Sequence, residues 1–389
     1  MLEAVPHIAV EISAVHAELG DQWRALSERA AANVFVNPVV SNAVVATGLA
    51  GLQVLTAWDR TTNIAKLIGV WALGKKPLAP LGPSVLVAPA HDYAFVSNPV
   101  IDPAHIDAVM PAFFDAIAAD PKLPKVIRLR YLDGGMETAG AIMTAAARRR
   151  LPVMTLSERE RAYAVPDAAV KRSGSTAKKL RQDWNRLAKD GAVAVANARD
   201  TDAAVAAFET FLTLEAASWK AGRGTAILSE AADARFARRL IADLAAAGEA
   251  SVALLTLDGK AIAAQVLLYS GRTAYTWKTA FDPDYGRFSP GALLVDRVTT
   301  ELFASGAIDA IESCSPDGGF MARLWTGRRK TLDVLIDLNP RKSLAFRLAA
   351  LEARGYAGLK DIRDAFRARW TEWRRKRQAA SAGTADAAG

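Results

Sequence analysis

One cysteine, Cys314, and four histidines are all that this 389-residue chain offers of the residues most used for nucleophilic and metal chemistry. A lone cysteine excludes an intramolecular disulfide and fits a reducing compartment. The histidines, His7, His16, His91 and His105, all precede residue 106. A Ser-His-Asp or Cys-His mechanism contained in the second half is thereby excluded, as is a His/Cys metal cluster there, and no metal is expected. Apolar residues make up 51% of the chain, yet charge, glycine or proline interrupts every apolar run before it reaches membrane-spanning length. No basic segment followed by an apolar run stands at the N-terminus, so no signal peptide and a cytoplasmic location are expected.

Negative charge is scarce in one place only. Residues 341–377 hold twelve Lys/Arg against four Asp/Glu, which accounts for the whole net charge of +8. The body is close to balanced, which argues against nucleic-acid binding by the body itself. Residues 341–378 read as a basic helical arm carrying Leu344, Phe346, Leu348, Leu351, Phe366, Trp370 and Trp373. Packing on the body is one reading of the arm, and docking on an anionic membrane surface another. Residues 379–389 are small and polar, as in a disordered tail.

The most informative stretch is Ala274–Gly291, AYTWKTAFDPDYGRFSPG. Tyr275, Trp277 and Thr279 alternate with Ala274, Thr276 and Lys278, the two-residue period of a strand with these two sets in opposite phase. An acidic turn follows, and then a helix start. Ser289 suits the N-cap and Pro290 the first helical position, after which Leu293, Leu294, Val298 and Leu302 recur at helical spacing up to Gly306. A strand that delivers a helix N-terminus is a ready anion site, so a phosphate- or pyrophosphate-bearing ligand is expected in the second half.

The element pattern is α/β throughout. Residues 1–20 read as an extended arm or edge strand, and helices are expected at Asp21–Ala32, Asn37–Leu49, Ala104–Ala119 and Ala139–Arg150. Strands are expected at Gly51–Trp58, Ile64–Leu73 and Lys125–Tyr131, with Pro77–Pro89 as a Pro/Gly loop. The second half reads as a basic helix Ser173–Gly191, a strand Val193–Asn197, helices Thr201–Ala217 and Glu230–Ala247, and a hairpin turning at Asp258-Gly259-Lys260. The stretch above comes next, with last strands at Ala307–Cys314 and Thr331–Leu338. Two related α/β halves, 1–165 and 166–340, follow from this order.

The segments Glu215–Leu228 (EAASWKAGRGTAIL), Asp258–Leu294 and Gly306–Ser313 (GAIDAIES) resemble the GNAT acyltransferases. More narrowly, they look like the tandem-GNAT group with the CelD-like proteins of cellulose and exopolysaccharide biosynthesis, distantly related to the FemAB transferases. The resemblance implies two GNAT-like domains in tandem and an enzyme that transfers an acyl group, most simply acetyl, from acyl-CoA to an amine or hydroxyl of a sugar or polysaccharide precursor. It places the donor pyrophosphate on Arg287, Phe288, Ser289, Pro290, Gly291 and Ala292. Pro290 lacks an N–H, so Ser289, Gly291 and Arg287 must supply what glycines usually would. The segment IESCSPDGGFMARLW puts Glu312 where the family carries an acid, with Phe320 and Arg323 nearby. Two other readings stay open: a FemAB-like transferase using aminoacyl-tRNA, and a non-catalytic accessory protein of polysaccharide assembly.

Acyl transfer needs a held thioester, a deprotonated acceptor and a proton for the leaving thiolate. Without histidine, carboxylates and tyrosine must serve. Asp282 and Tyr285 are candidates, against the plain reading of Asp-Pro-Asp-Tyr-Gly as a turn. Glu215 is a candidate base beside an acceptor rim of Trp219 and Lys220, against a charged helix end with Trp219 packed beneath. Glu312, at a strand end, is another. Lys278 is either an anchor for an acidic acceptor or a solvent-facing strand residue. Cys314 reads as a buried inert thiol. Arg328-Arg329-Lys330 read as a solvated loop or a phosphate clamp.

Overall fold

The computed structural model describes residues 7–14, 19–80, 82–166, 174–218, 224, 226–315 and 319–355. The first half contributes strands β1 (Ile8–Ser13), β2 (Leu52–Asp59), β3 (Lys66–Pro77), β4 (Ser84–Ala88), β5 (Val100–Ile101) and β6 (Val126–Asp133). Its helices are α1 (Gly20–Ser27), α2 (Pro38–Ala46), α3 (Ile106–Ala119) and α4 (Glu137–Arg148). The chain continues through β7 (Val153–Ala164), α5 (Gly174–Asp190), β8 (Val193–Ala198), α6 (Thr201–Ala217), α7 (Ala231–Ala246), β9 (Ala250–Leu257) and β10 (Lys260–Ser270). It closes with β11 (Thr273–Phe281), α8 (Pro290–Ala304), β12 (Ala310–Glu312), α9 (Met321–Leu324), β13 (Gly327–Asp337) and a helix, α10, over residues 344–355.

All thirteen strands join one mixed sheet in the order β1-β2-β3-β4-β6-β13-β7-β12-β11-β10-β9-β8, with β5 on β3. That order maps onto itself when each first-half strand is exchanged for a second-half counterpart: β1 with β8, β2 with β9, β3 with β10, β4 with β11, β6 with β12, and β7 with β13. The two parallel pairs, β4–β6 and β11–β12, are counterparts in this scheme. The pseudo-two-fold runs between β7 and β13, which pair with each other along most of their length. Each also crosses over: β13 pairs with β6 of the first half, and β7 with β12 of the second. Each half's sheet is therefore completed by the other half's last strand.

Local chemistry explains the elements. The β9–β10 turn needs two left-handed residues, and Asp258 (φ 48°) and Gly259 (φ 81°) supply them. In α8, Leu293, Leu294, Val298 and Leu302 are buried, as their helical spacing requires. Apolar cores lie on both faces of the sheet. One gathers α1, α2, α6 and α7, a second α3 and α4, and a third α5, α8 and α9. Phe346, Ala349 and Ala350 of α10 pack on Val85, Val87, Val126 and Leu335, while Leu344 and Leu351 stay exposed. The remainder of the expected arm and the 379–389 tail lie outside the described residues.

Three expectations change. Pro77–Pro89 is not all loop: the apolar run SVLVA forms β4, buried between β3 and β6. Residues 153–164 form a long strand, β7, where no element was expected, because their Glu/Arg alternation hides the side that faces the body. Arg328, Arg329 and Lys330 belong to β13 and not to a loop, since Gly327–Ile336 pairs with β7.

Candidate functional site

β11 and β12 pair only over Thr273–Tyr275 and Ala310–Glu312. Beyond that point the strands part and a cleft of about 690 Å³ opens between α5, α8 and α9. Thr276 and Thr279 line one side, Ser313, Cys314 and Ser315 the other, and Ser289, Gly291 and Ala292 stand at its helical end. Val266 pairs with Lys278 and Leu267 with Thr276, so Trp277 is the extra residue of a β-bulge. The bulge brings Trp277 and Lys278 to the cleft together, which corrects the opposite phases expected from strict alternation.

Ser289 is left-handed (φ 54°, ψ 47°) and its side chain does not cap α8, contrary to the N-cap expected of it. It ends the 3-10 turn Pro283–Phe288 and starts α8 at once, and closing the first element fixes its backbone. Its hydroxyl instead meets Lys179 Nζ at 3.2 Å. The α8 N-terminus thus faces the cleft without a side-chain cap, with its positive dipole end toward the opening.

α5 carries a device the sequence did not reveal. Asp183 is buried on a polar helix and binds Lys179 and Arg186, one turn to either side. Burial works against its charge, but the hydrogen bonds from Lys179 and Arg186 outweigh that and hold the carboxyl below the usual range. Arg186 also donates to the Arg287 carbonyl at 3.3 Å. One buried carboxylate therefore pins two cations beside the start of α8.

The expected site residues divide. Ser289, Gly291, Ala292 and Lys278 line the cleft. A Cβ on Gly291 would lie 3.6 Å from Phe281 and Thr279, ordinary contact, so helix packing does not demand glycine there. Pro290 and Phe288 are buried, and Phe288 packs in the α5–α8–α9 core. Arg287 points away to Asp190 at 3.2 Å and lies over the Phe288 ring. Asp282 and Tyr285 form the turn: Lys260 reaches Asp282 at 2.9 Å and covers the Tyr285 ring at 5.1 Å. The Lys260 hydrogen bond holds the Asp282 carboxyl below its usual range. Glu215 is fully buried outside the cleft lining, with Oε2 accepting the Ile227 amide at 2.9 Å. Trp219 and Lys220 lie outside the described residues.

Glu312 sits where the strands begin to part, one residue from the cleft wall. Its Oε1 accepts from Arg161 Nη1 at 3.3 Å and from the Cys314 amide at 3.2 Å. Both side chains of the pair are nearly inaccessible, 5% for Arg161 and 4% for Glu312. Burial raises the Glu312 carboxyl and Arg161 opposes the rise. Burial pushes the Cys314 thiol well up, so it stays a protonated, unreactive group.

The first half supplies a wall of this cleft through the loop after β4. Phe95 lines it, the Tyr93 carbonyl accepts from Trp277 Nε1 at 2.9 Å, and Lys278 Nζ lies 4.9 Å from the Tyr93 ring centre. The same loop occupies the first half's own strand junction. Tyr131 (φ 57°) and Cys314 (φ 49°) are counterparts, each two residues past the last paired residue of β6 or β12 with β4 or β11. Beside Tyr131, the Ser97 amide donates to its carbonyl, and Asn98 bonds both the Asp133 amide, at 2.7 Å, and its carbonyl. The edge that opens on the cleft in the second half is covered by chain in the first.

Residues 174–317 match the family described as acetyltransferase (GNAT) domain. Residues 174–317, from α5 to just past β12, are thus similar to a GNAT acetyltransferase domain. The fold agrees over the wider chain. FemX superposes with a TM-score of 0.57 at 10% identity, covering 84% of this chain and 96% of that one. L-PGS from Bacillus licheniformis gives 0.52 at 11% identity, with 86% and 96% covered. A conserved protein of unknown function from Bacteroides thetaiotaomicron gives 0.52 at 12%, with 85% and 100% covered. No curated protein matches the chain. The architecture is thus mixed α/β with two halves of matching strand order, the second holding an enzyme domain of acyltransferase type. Among the described residues no helix is long and apolar enough to cross a membrane, and no group of three His, Cys, Asp or Glu is placed to hold a metal.

Proposed function

We propose that the protein transfers an acyl group from acyl-CoA to an amino or hydroxyl group of a saccharide acceptor. The observation that carries this reading is the α8 N-terminus, uncapped by any side chain and opening on the 690 Å³ cleft inside the segment that matches the GNAT domain. The residues present suit an acyl-CoA: the amide end of α8 and Lys179 fit its phosphates, while Trp277, Phe281 and Leu324 offer an apolar wall to its arm. The bound donor supplies a thioester carbonyl. The edge residues Ser313–Ser315 orient what lies in the cleft, and Glu312 takes a proton from the acceptor. The saccharide acceptor rests on the resemblance of Asp258–Leu294 to the CelD-like group. Acetyl-CoA and a longer acyl-CoA titrated into the protein should release heat at a ratio of one per chain. Absence of heat with both sinks the reading.

One observation favours a second donor. Lys179, Arg186 and Lys189 of α5 line a further cleft of about 520 Å³ beside the first. A basic face at the donor end also suits the backbone of an aminoacyl-tRNA. RNA binding that collapses with added salt, together with silence toward acyl-CoA, would select that donor instead.

A further inference from the structure

α10 is held on the body by one face and shows leucine on the other. Ser343 fixes its start: the hydroxyl accepts from the Phe346 amide at 3.2 Å, and the Ser343 amide donates to Asp337 Oδ2, on a fully buried side chain, at 2.7 Å. Phe346, Ala349 and Ala350 then face the sheet. At about 100° per residue, Leu344, Leu348 and Leu351 fall within roughly 60° of one another on the opposite side. They are 68%, 38% and 67% exposed. Single exposed leucines are ordinary, but three at i, i+4 and i+7 make an apolar stripe.

The stripe has a cationic border. Arg347 and Arg354 lie along one side of it, and Arg341 and Lys342 precede its first leucine, all four exposed. The acid on the other side, Glu352, is paired with Arg128 at 3.4 Å, while none of the four cations has an ionic partner among the described residues. The excess continues in the sequence: residues 356–377 hold eight Lys/Arg and three Asp/Glu, with Phe366, Trp370 and Trp373 among them. That charge decides between occupants. A second copy, or the chain's own continuation, would bring more positive charge against Arg347 and Arg354. An anionic polymer such as RNA would answer the charge and leave three leucines in water. A bilayer with anionic headgroups answers both.

We propose that α10 docks the protein on an anionic membrane surface. Leu344, Leu348 and Leu351 enter the boundary between headgroups and acyl chains, and Arg341, Lys342, Arg347 and Arg354 meet the anionic headgroups. The helix lies flat in the surface, because Phe346, Ala349 and Ala350 keep its inner face on β4, β6 and β13. Residues 356–377 supply Trp and Phe, side chains that favour the headgroup level, and further positive charge. The attachment is reversible, since a stripe of three leucines is far short of a membrane span. It uses no residue of the donor cleft, so it holds whichever donor the protein takes.

Co-sedimentation of the full chain with vesicles tests this. Vesicles of equal parts phosphatidylglycerol and phosphatidylcholine should carry the protein down, vesicles of phosphatidylcholine alone should not, and added salt should release it. Leu344→Ser combined with Leu351→Ser should weaken binding at least about ten-fold, and so should Arg347→Gln combined with Arg354→Gln. All four side chains are exposed, so melting temperature and oligomeric state should stay as in the wild type. Failure to bind the mixed vesicles, equal binding to phosphatidylcholine alone, or leucine variants that bind as the wild type does overturns the proposal. A leucine variant that melts lower or changes oligomeric state shows the stripe already covered, by the chain itself or by a second copy, and overturns it too. Tighter binding to transfer RNA than to the mixed vesicles at the same salt does likewise.

Discussion

Ser289 concentrates the tension between stability and function in one backbone position. A non-glycine residue in the left-handed region costs roughly 1 kcal/mol. Ser289→Gly should therefore raise the unfolding free energy by about 0.5–1 kcal/mol in urea denaturation, while donor affinity falls because Lys179 loses its hydroxyl partner. Glu312 is the reverse case, a buried charge retained at a cost. Glu312→Gln should lower kcat by about 100-fold with acetyl-CoA affinity unchanged, the pattern of a lost proton acceptor. His91 gives the pH dependence. Burial lowers its pKa from 6.5 to about 4, with Asp92 opposing. Folding thus favours the neutral ring, and the stability this contributes is present above pH 6.5 and lost as pH falls toward about 4. Thermal unfolding at pH 7 and pH 5 should differ by on the order of 2 kcal/mol, a difference that His91→Gln removes.

At the scale of elements, α5 is the part most easily misjudged. Its sequence reads as a basic amphipathic helix, yet Asp183 turns it into a clamp on the start of α8. Asp183→Asn should loosen Lys179 and Arg186 and weaken acetyl-CoA binding by about ten-fold, with a shallower salt dependence, at little change in far-UV circular dichroism. The strand and helix around Trp277 and Ser289 were legible because alternation and the Ser-Pro-Gly start are local signals. The bulge at Trp277 was not, since it depends on the register with β10. Phe95 and Arg161 escaped for a stronger reason. Their partners Trp277 and Glu312 are far away in sequence, and no local pattern marks a side chain that works across the seam. β7 was missed because its charged residues, read alone, describe a solvent face, whereas Arg161 is buried against Glu312.

For the molecule as a whole, the exchange of β7 and β13 makes the two halves one folding unit. Fragments 1–165 and 166–389 expressed apart should be insoluble or unfolded, and the intact chain should unfold in a single transition by calorimetry. The pseudo-symmetry also sets stoichiometry. With Ser97 and Asn98 covering the first half's junction, one donor should bind per chain, although two junctions exist in outline.

The position of β13 also bears on how the protein is made. The strand that covers the open side of β6, Gly327–Asp337, leaves the ribosome some two hundred residues after β6 itself. During synthesis the nascent first half must carry an uncovered, apolar strand edge for some two hundred residues of further elongation, at a stage when such edges recruit other chains. Yield in the cell should depend on elongation speed and on holdase chaperones more than the stability of the finished fold would suggest.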